Sequence, residues 1–483
     1  LFTYVIAVFV IHNIEQESSI IGALYALGLK SRQLILHYLL LPVLVTFLGG
    51  AAGCIIGMTP AGMDWMLDSV VDYYSFPRPV TVLPPYVLVY ALIMPPVTAA
   101  IVNYFCISKK LRRTALSLLR NEQRVSRIRE VKLGNHFSFA TRFQIRQMLR
   151  ESHSALAVII GMYICLLIVV LSLDCYVMCE NYRLAAVNET TYEYMYNYKY
   201  PTKEVPEGGT PAYAEGLKKE AYGYNLEVTI LGITEDNPYF DVEVGKYKNE
   251  IVIASAVAEK FQVKKGDKMV FTDEVNHRDY AFTVKDVVYM ESAFYCFMDL
   301  DAMRELFGQE DDYYNVVFAG HSLDVDAGRL YSTVTRENVM EACSIFVDMM
   351  KPMVSLLLGL SALIFVVVMY LMVKVMVDRS AFSIALVKIF GFRRREIRKL
   401  YLNGNFLLVA IGALICIPLA KLSVDVIYPL CISNVAVGMD LHFTWQMYVG
   451  VYMGVLLCYL IITPLLMRRI HKKVPAEILK NRE

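Results

Sequence analysis

Residues 19–35 read Ser-Ile-Ile-Gly-Ala-Leu-Tyr-Ala-Leu-Gly-Leu-Lys-Ser-Arg-Gln-Leu-Ile, and residues 382–398 read Phe-Ser-Ile-Ala-Leu-Val-Lys-Ile-Phe-Gly-Phe-Arg-Arg-Arg-Glu-Ile-Arg. Setting Gly28 on Gly391 pairs Ile21 with Ile384, Leu27 with Phe390, Arg32 with Arg395 and Leu34 with Ile397. The same shift carries into the apolar run that follows each stretch. There Gly49, Gly53 and Gly57 fall on Gly412, Cys416 and Ala420. Small residues four apart line one helix face, and in lipid such a face lets helix backbones approach closely. The last apolar run of each half ends in a basic segment, 110–120 and 470–480. Three matched features in the same order describe an internal duplication. Two halves of like topology imply a pseudo-twofold axis along the membrane normal.

Composition outside the repeat fits a membrane protein. Of 483 residues, 56% are hydrophobic and 19% charged. A soluble domain sits near 45–50% and about 25%. Disorder is excluded by the apolar content, and a net charge of +1 argues against a nucleic-acid partner. The charge is unevenly placed. Residues 180–350 hold 31 acidic and 16 basic side chains, and the remainder holds 15 acidic and 31 basic. Short cytoplasmic loops collect Lys and Arg. Residues 108–150 carry twelve of them against two Glu, residues 374–399 carry eight, and residues 467–483 carry six. By contrast, 59–83 holds only Arg78 beside Asp64, Asp68 and Asp72. The basic segments are therefore expected in the cytoplasm, and 59–83 and 180–350 outside.

These signals predict a polytopic α-helical membrane protein with about seven spans, two pseudo-repeated modules and one α+β extracytoplasmic domain. Apolar runs long enough to cross a bilayer lie near 34–58, 86–107, 155–177, 353–375, 400–419 and 445–467. Pro95 and Pro96 are expected to kink the second. Residues 1–14 are apolar but short, with no initiating Met, so an N-terminal part is expected to precede residue 1. The domains follow as 1–120, a first membrane module; 121–179, a linker with an amphipathic helix and an outward span; 180–350, the outer domain; and 351–483, the second module. No charged residue falls near the centre of a span, which disfavours an ion or proton relay.

Each glycine-centred stretch reads as a cytoplasmic helix of about ten residues stopped by Gly28 or Gly391. Ile20, Ile21, Leu24 and Leu27 sit at helical spacing, as do Ile384, Val387 and Phe390. Such a face either lies on lipid headgroups or docks into a partner's groove. The stretch from Glu17 to Ile35 resembles the signature of FtsX-like permeases, with Gly22 and Gly28 in its glycine places and Ala26 in its alanine place. The second copy departs, since Ala385 replaces the first glycine and Phe390 precedes Gly391. The segment 474–479, Val-Pro-Ala-Glu-Ile-Leu, is similar to the family's closing motif, and 146–150, Arg-Gln-Met-Leu-Arg, to the entry of its second module. Residues 250–267 resemble a segment of MacB-like extracytoplasmic domains.

The resemblance implies a permease subunit of an ABC-type machine in the bacterial plasma membrane. It implies a separate cytosolic ATPase, acting as a dimer, that contacts Ser19, Ile20, Ile21, Gly22, Leu24, Leu27 and Gly28 and, in the second copy, Ser383, Ile384, Val387, Phe390 and Gly391. The output it implies is export or extraction of a peptide, lipid or lipoprotein. The alternative is a mechanical coupler that regulates an external enzyme or senses peptides without transport. The chain has no phosphate-loop motif, so it is expected to be no enzyme and to bind no cofactor directly, with ATP used through its partner. Membrane lipids are the remaining expected contact.

Within 180–350, Tyr192, Tyr194, Tyr196, Tyr198 and Tyr200 alternate with other residues and predict a strand with one tyrosine face. That face is either half-buried or a stacking surface for a peptide or glycan. Strands are expected at 226–230, 240–244, 269–272 and 280–289, and short helices at 255–261 and 301–307. The eight His and ten Cys show no metal spacing, and no catalytic cluster is visible. Cys296 and Cys343 are left as a possible outer pair. Arg142, Arg146 and Arg150 form a basic stripe suited to an interfacial helix.

Overall fold

The computed structural model describes residues 2–59, 84–111, 152–391, 394–433 and 438–472, with isolated positions at 62, 116, 118 and 146. The acidic loop 59–83 beyond its first residue and Gly62, the 474–479 motif and most of the basic linker, with Arg142 and Arg150, lie outside the described residues. The chain divides into two compact units. One comprises Leu1–Val170, Leu356–Leu422 and Thr444–Glu483; the other comprises Leu171–Ser355 and Ser423–Phe443.

The first unit is helical. Helix α1 (Phe2–Gln16) gives way at Glu17 to α2 (Ser18–Ala26), and α3 (Ser31–Met58) follows. Pro85–Leu88, a π turn at Val89–Ile93 and Met94–Leu111 run on as α4. The π turn stands where the proline pair predicts a kink. Pro95 has no N–H to give the Ala91 carbonyl in helix register, and the ladder widens just before it. Helix α5 (Ser152–Glu189) enters from this unit and ends in the other. Among the described residues, six helices are long and apolar enough to cross a membrane, and residues 4–16 form a shorter apolar helix.

The second unit is built on a nine-stranded sheet. Its strands are β1 (Tyr194–Tyr198), β2 (Thr210–Ala221), β3 (Tyr224–Ile233), β4 (Glu250–Ala254), β5 (Lys268–Asp273), β6 (Arg278–Val288), β7 (Tyr295–Asp299), β8 (Val316–Ala319) and β9 (Leu330–Thr335). Short helices α6 (Ser255–Phe261) and α7 (Leu300–Phe307) follow β4 and β7. The order β3-β7-β4-β6-β5-β2 closes on itself because β2 also pairs with β3, and β8-β1-β9 continues from β2. The long β2 serves both parts. Thr210–Ala212 pair with β8, and Tyr213–Ala221 pair with β3. Closure removes the unpaired edges an open sheet would leave in that part. Leu217, Val228, Ile253, Phe271 and Phe297 fill the interior.

The tyrosine alternation does form a strand, β1, set between β8 and β9. Tyr196 and Tyr198 are buried, and Tyr192, just before the strand, packs on Phe240 and Phe318. The face belongs to the core, so the stacking-surface alternative fails for these three. Only Tyr200, past the strand end, is well exposed. Residues 240–244, expected as a strand, make no ladder. Asn237 accepts the Tyr239 N–H in a local turn, and Phe240 is buried in the core with Val242 and Val244 packed against it in part. Cys296 and Cys343 are both buried free thiols, so the possible pair is not formed.

After β9 the chain runs through α8 (Arg336–Ile389), α9 (Arg394–Cys431) and α10 (Trp445–Lys472). Helix α5 runs on past the apolar run at 155–177, because Met178, Leu184, Ala185 and Ala186 keep the sequence helix-forming. One expectation changes here. The second glycine-stopped stretch is not a separate short helix. No Gly or Pro falls between Pro352 and Gly391 except Gly359, so α8 continues through it for 54 residues.

Candidate functional site

The first turn is fixed from one side and open on the other. Leu29 N–H donates to the Leu24 carbonyl and Gly28 N–H to the Tyr25 carbonyl, the bond pair that closes a helix over a left-handed residue. Gly28 holds that place at φ +94° and Gly391 holds its counterpart at φ +86°. A residue with a Cβ is strained there. Lys30 N–H then donates to the Gln33 side chain at 3.2 Å, starting α3.

The apolar positions of α2 split between two faces. Ile21 is 0% exposed and packs with Val10, Ile14, Leu34, Ile107 and Leu111. Gly22 and Ser18 are buried beside it, and the Ser18 hydroxyl donates to the Leu118 carbonyl at 3.0 Å. Tyr25 Oη donates to the Leu111 carbonyl at 3.1 Å and is bonded to Ser31 Oγ. Tyr38 Oη donates to the Glu17 carboxylate at 2.6 Å. The outward stripe is Ile20, Ala23 and Leu27, with Leu27 80% exposed. Ile21 is thus a core residue rather than part of an outer face, Leu24 is half-buried against it, and Ser19 is half-buried. In the second copy Phe390 is 73% exposed and Ile389 is also exposed. The side chains of Ser383, Ile384 and Val387 lie outside the described residues.

The two small-residue triplets differ. Gly412, Cys416 and Ala420 are buried, and a methyl group at Gly412 would meet Met162 at 2.8 Å and Ile159 at 3.5 Å, both on α5. Gly49, Gly53 and Gly57 are exposed, with nothing within 4 Å of where a Cβ would stand. The close approach in the first half is made one residue away. Gly50 lies so near α4 that a methyl group would overlap the Ala91 carbonyl oxygen.

Further residues emerge only from the fold. His12 is buried, with Nε2 3.0 Å from Gln16 Nε2 and 3.4 Å from Asp378 Oδ2, which joins α1 to α8. Tyr4 Oη donates to the Ala157 carbonyl at 2.5 Å, and Gly161 faces Tyr4 and Met372. Residues 157–162 of α5 thereby touch α1, α8 and α9. No spacing pattern marks these residues, because each partner comes from a distant part of the chain. Among the described residues no group of His, Cys, Asp or Glu has the arrangement to hold a metal ion.

Among the described residues, six helices long and apolar enough to cross a membrane and two copies of a glycine-closed turn fit a polytopic membrane protein. A family model described as FtsX-like permease C-terminal matches the chain twice, over residues 1–115 and 355–475. The chain belongs to the FtsX-like permeases and carries two modules. That makes it an ABC-transporter-type permease component, with an ABC ATPase partner implied by the family. A search of curated proteins finds no match. Residues 116–354, which include most of the sheet unit, lie outside both matched segments.

Proposed function

We propose that this permease relays ATP-driven motion from a cytosolic ABC ATPase dimer to the sheet domain, held outside a bacterial plasma membrane. The observation that carries the reading is the pair of turns. Each is closed by a left-handed glycine and presents exposed apolar side chains, Ile20 and Leu27 in one and Ile389 and Phe390 in the other. An exposed apolar stripe on a helix fixed along its inner face suits a partner's groove. Helix α8 supports the relay, since it runs unbroken from Arg336, whose N–H donates to the Glu193 carbonyl, to Ile389 beside the second turn. This one continuous helix links the two ends of the relay, and Pro352 inside it marks where it can bend.

Export or extraction of a peptide, lipid or lipoprotein is the output proposed. The same helix serves a coupler that regulates an external enzyme or senses peptides. ATP-dependent loss of substrate from loaded vesicles separates transport from coupling. The docking surface is tested with a Leu27→Asp, Phe390→Asp variant, since both positions are open to solvent. Copurification of the ATPase should fall by at least about tenfold, as expected when hot-spot contacts are removed. Wild-type recovery of the ATPase by a folded variant would overturn docking at these turns.

A further inference from the structure

Four carboxylates converge in the sheet unit where residues 438–442 lie against it. Glu291, in the link between β6 and β7, is 1% exposed. Its Oε1 is bonded to the Ser255 hydroxyl at the start of α6, and its Oε2 has no hydrogen-bond partner. The N–H groups of Glu291 and Ser292 donate to the Glu189 carboxylate at the end of α5, at 2.8 to 3.1 Å. Gly438 closes over the same group. A methyl group there would overlap the Glu291 carboxylate and stand 2.6 Å from the Glu291 carbonyl oxygen. Asp440 is tied in beside it. Tyr289 Oη donates to Asp440 Oδ2 at 2.9 Å, and Asn181 Nδ2 donates to the Asp440 carbonyl at 2.9 Å.

The titratable groups around Glu291 are therefore Glu189 from α5, Glu259 and Lys260 from α6, Tyr289 from its own link, and Asp440 and His442 from the covering segment. Lys260 directs its ammonium to the Ile432 carbonyl at 2.5 Å. His442 is almost wholly exposed, with Nδ1 3.9 Å from Asp440 Oδ1. Among the described residues no metal-holding group exists to neutralise the carboxylates. A buried carboxylate oxygen without a donor is costly when ionised, so a proton is the simplest neutraliser.

We propose that residues 438–442 form a proton-operated latch, seated over Glu291 while that carboxyl is protonated and released when it ionises. The proposal does not rest on the permease reading. Burial pushes the Glu291 carboxyl up to about 7, opposed by the Ser255 hydroxyl and reinforced by the charges of Glu259, Asp440 and Glu189. Glu259 is also pushed up to about 7, by burial and then by Asp440, but its side chain is the more exposed. Glu291 therefore carries the effect. A carboxyl raised in the seated state favours seating fully below its free value, near 4.5, and loses that contribution as pH rises through about 7. The latch is thus held at mildly acidic pH and loosened above neutrality.

The test is amide hydrogen exchange of the full chain in lipid nanodiscs, followed at 438–443 and corrected for the intrinsic pH dependence of exchange. Between pH 5 and pH 8 the opening equilibrium should rise by at least about tenfold. Glu291→Gln should flatten that profile and hold the segment closed at pH 8. Gly438→Ala should open it already at pH 5. Exchange of residues 295–299 in the sheet core, unchanged in each variant, establishes that the unit is folded. A flat wild-type profile, or a Glu291→Gln profile that keeps the wild-type slope, would overturn the latch. If Glu291→Gln does not fold, the Gly438→Ala result decides. Full protection of that variant at pH 5 would also overturn the proposal.

Discussion

At the scale of single residues, the membrane unit turns on where a hydrogen replaces a methyl group. Gly50 backs onto the Ala91 carbonyl, which Pro95 cannot serve in helix register. Gly50→Ala pushes main chain against main chain, and no side-chain rotation relieves it. The expected loss is about 1–3 kcal/mol, the usual cost of overpacking. Gly53→Ala, in open space, should be neutral or stabilising by up to about 1 kcal/mol through helix propensity. Thermal melting of the two variants in the same detergent measures the difference, and equal melting temperatures would contradict it. The sequence made half of this legible. Spacing by four pointed to Gly49, Gly53 and Gly57, yet the contact falls to their neighbour. Helix rotation about its own axis is set by the partner helix, and the partner's Pro95-Pro96 pair was the available signal.

At the scale of elements, alternation marks strands that have one wet face, and it is silent on strands buried on both. Residues in β5 alternate between buried and exposed, and this strand was legible within a residue or two. Strands β4 and β8 are buried almost throughout, so no period of two exists to find. Strand β1 shows how burial and hydrogen bonding separate chemically identical side chains. Tyr196 Oη accepts the Leu323 N–H at 2.9 Å, whereas Tyr198 Oη is buried without a partner. Tyr196→Phe leaves an N–H unsatisfied and should cost about 1 kcal/mol or more. Tyr198→Phe removes an unpaired hydroxyl and should be neutral or slightly stabilising. Hydrogen exchange of residues 316–319 in the full chain reads both changes, with faster exchange expected for the Tyr196 variant alone. The reverse order would mean that the Tyr198 hydroxyl holds a partner the fold does not reveal.

At the scale of the whole molecule, the duplication and the charge division were legible because each is a sum over many residues. The contribution of 423–443 to the sheet unit was not. Its links, such as Lys260 to the Ile432 carbonyl and Asn181 to the Asp440 carbonyl, join positions 172 and 259 apart in sequence. Charge also fixes which way the molecule should face. Residues 180–350 carry fifteen more acidic than basic side chains, and the rest carries sixteen more basic than acidic. Basic segments resist crossing the membrane, so both glycine turns, which adjoin them, should lie in the cytoplasm and the sheet domain opposite. Single cysteines at Leu27, Phe390 and Val275, in a chain whose native cysteines are replaced, test this directly, since all three positions are well exposed. In intact cells a membrane-impermeant maleimide should label Val275→Cys and leave Leu27→Cys and Phe390→Cys unmodified until the membrane is opened. Labelling of either turn together with Val275 would place a docking surface and the sheet domain on one side. No cytosolic motor could then grip that turn, and the relay from ATPase to sheet domain would have no route across the bilayer.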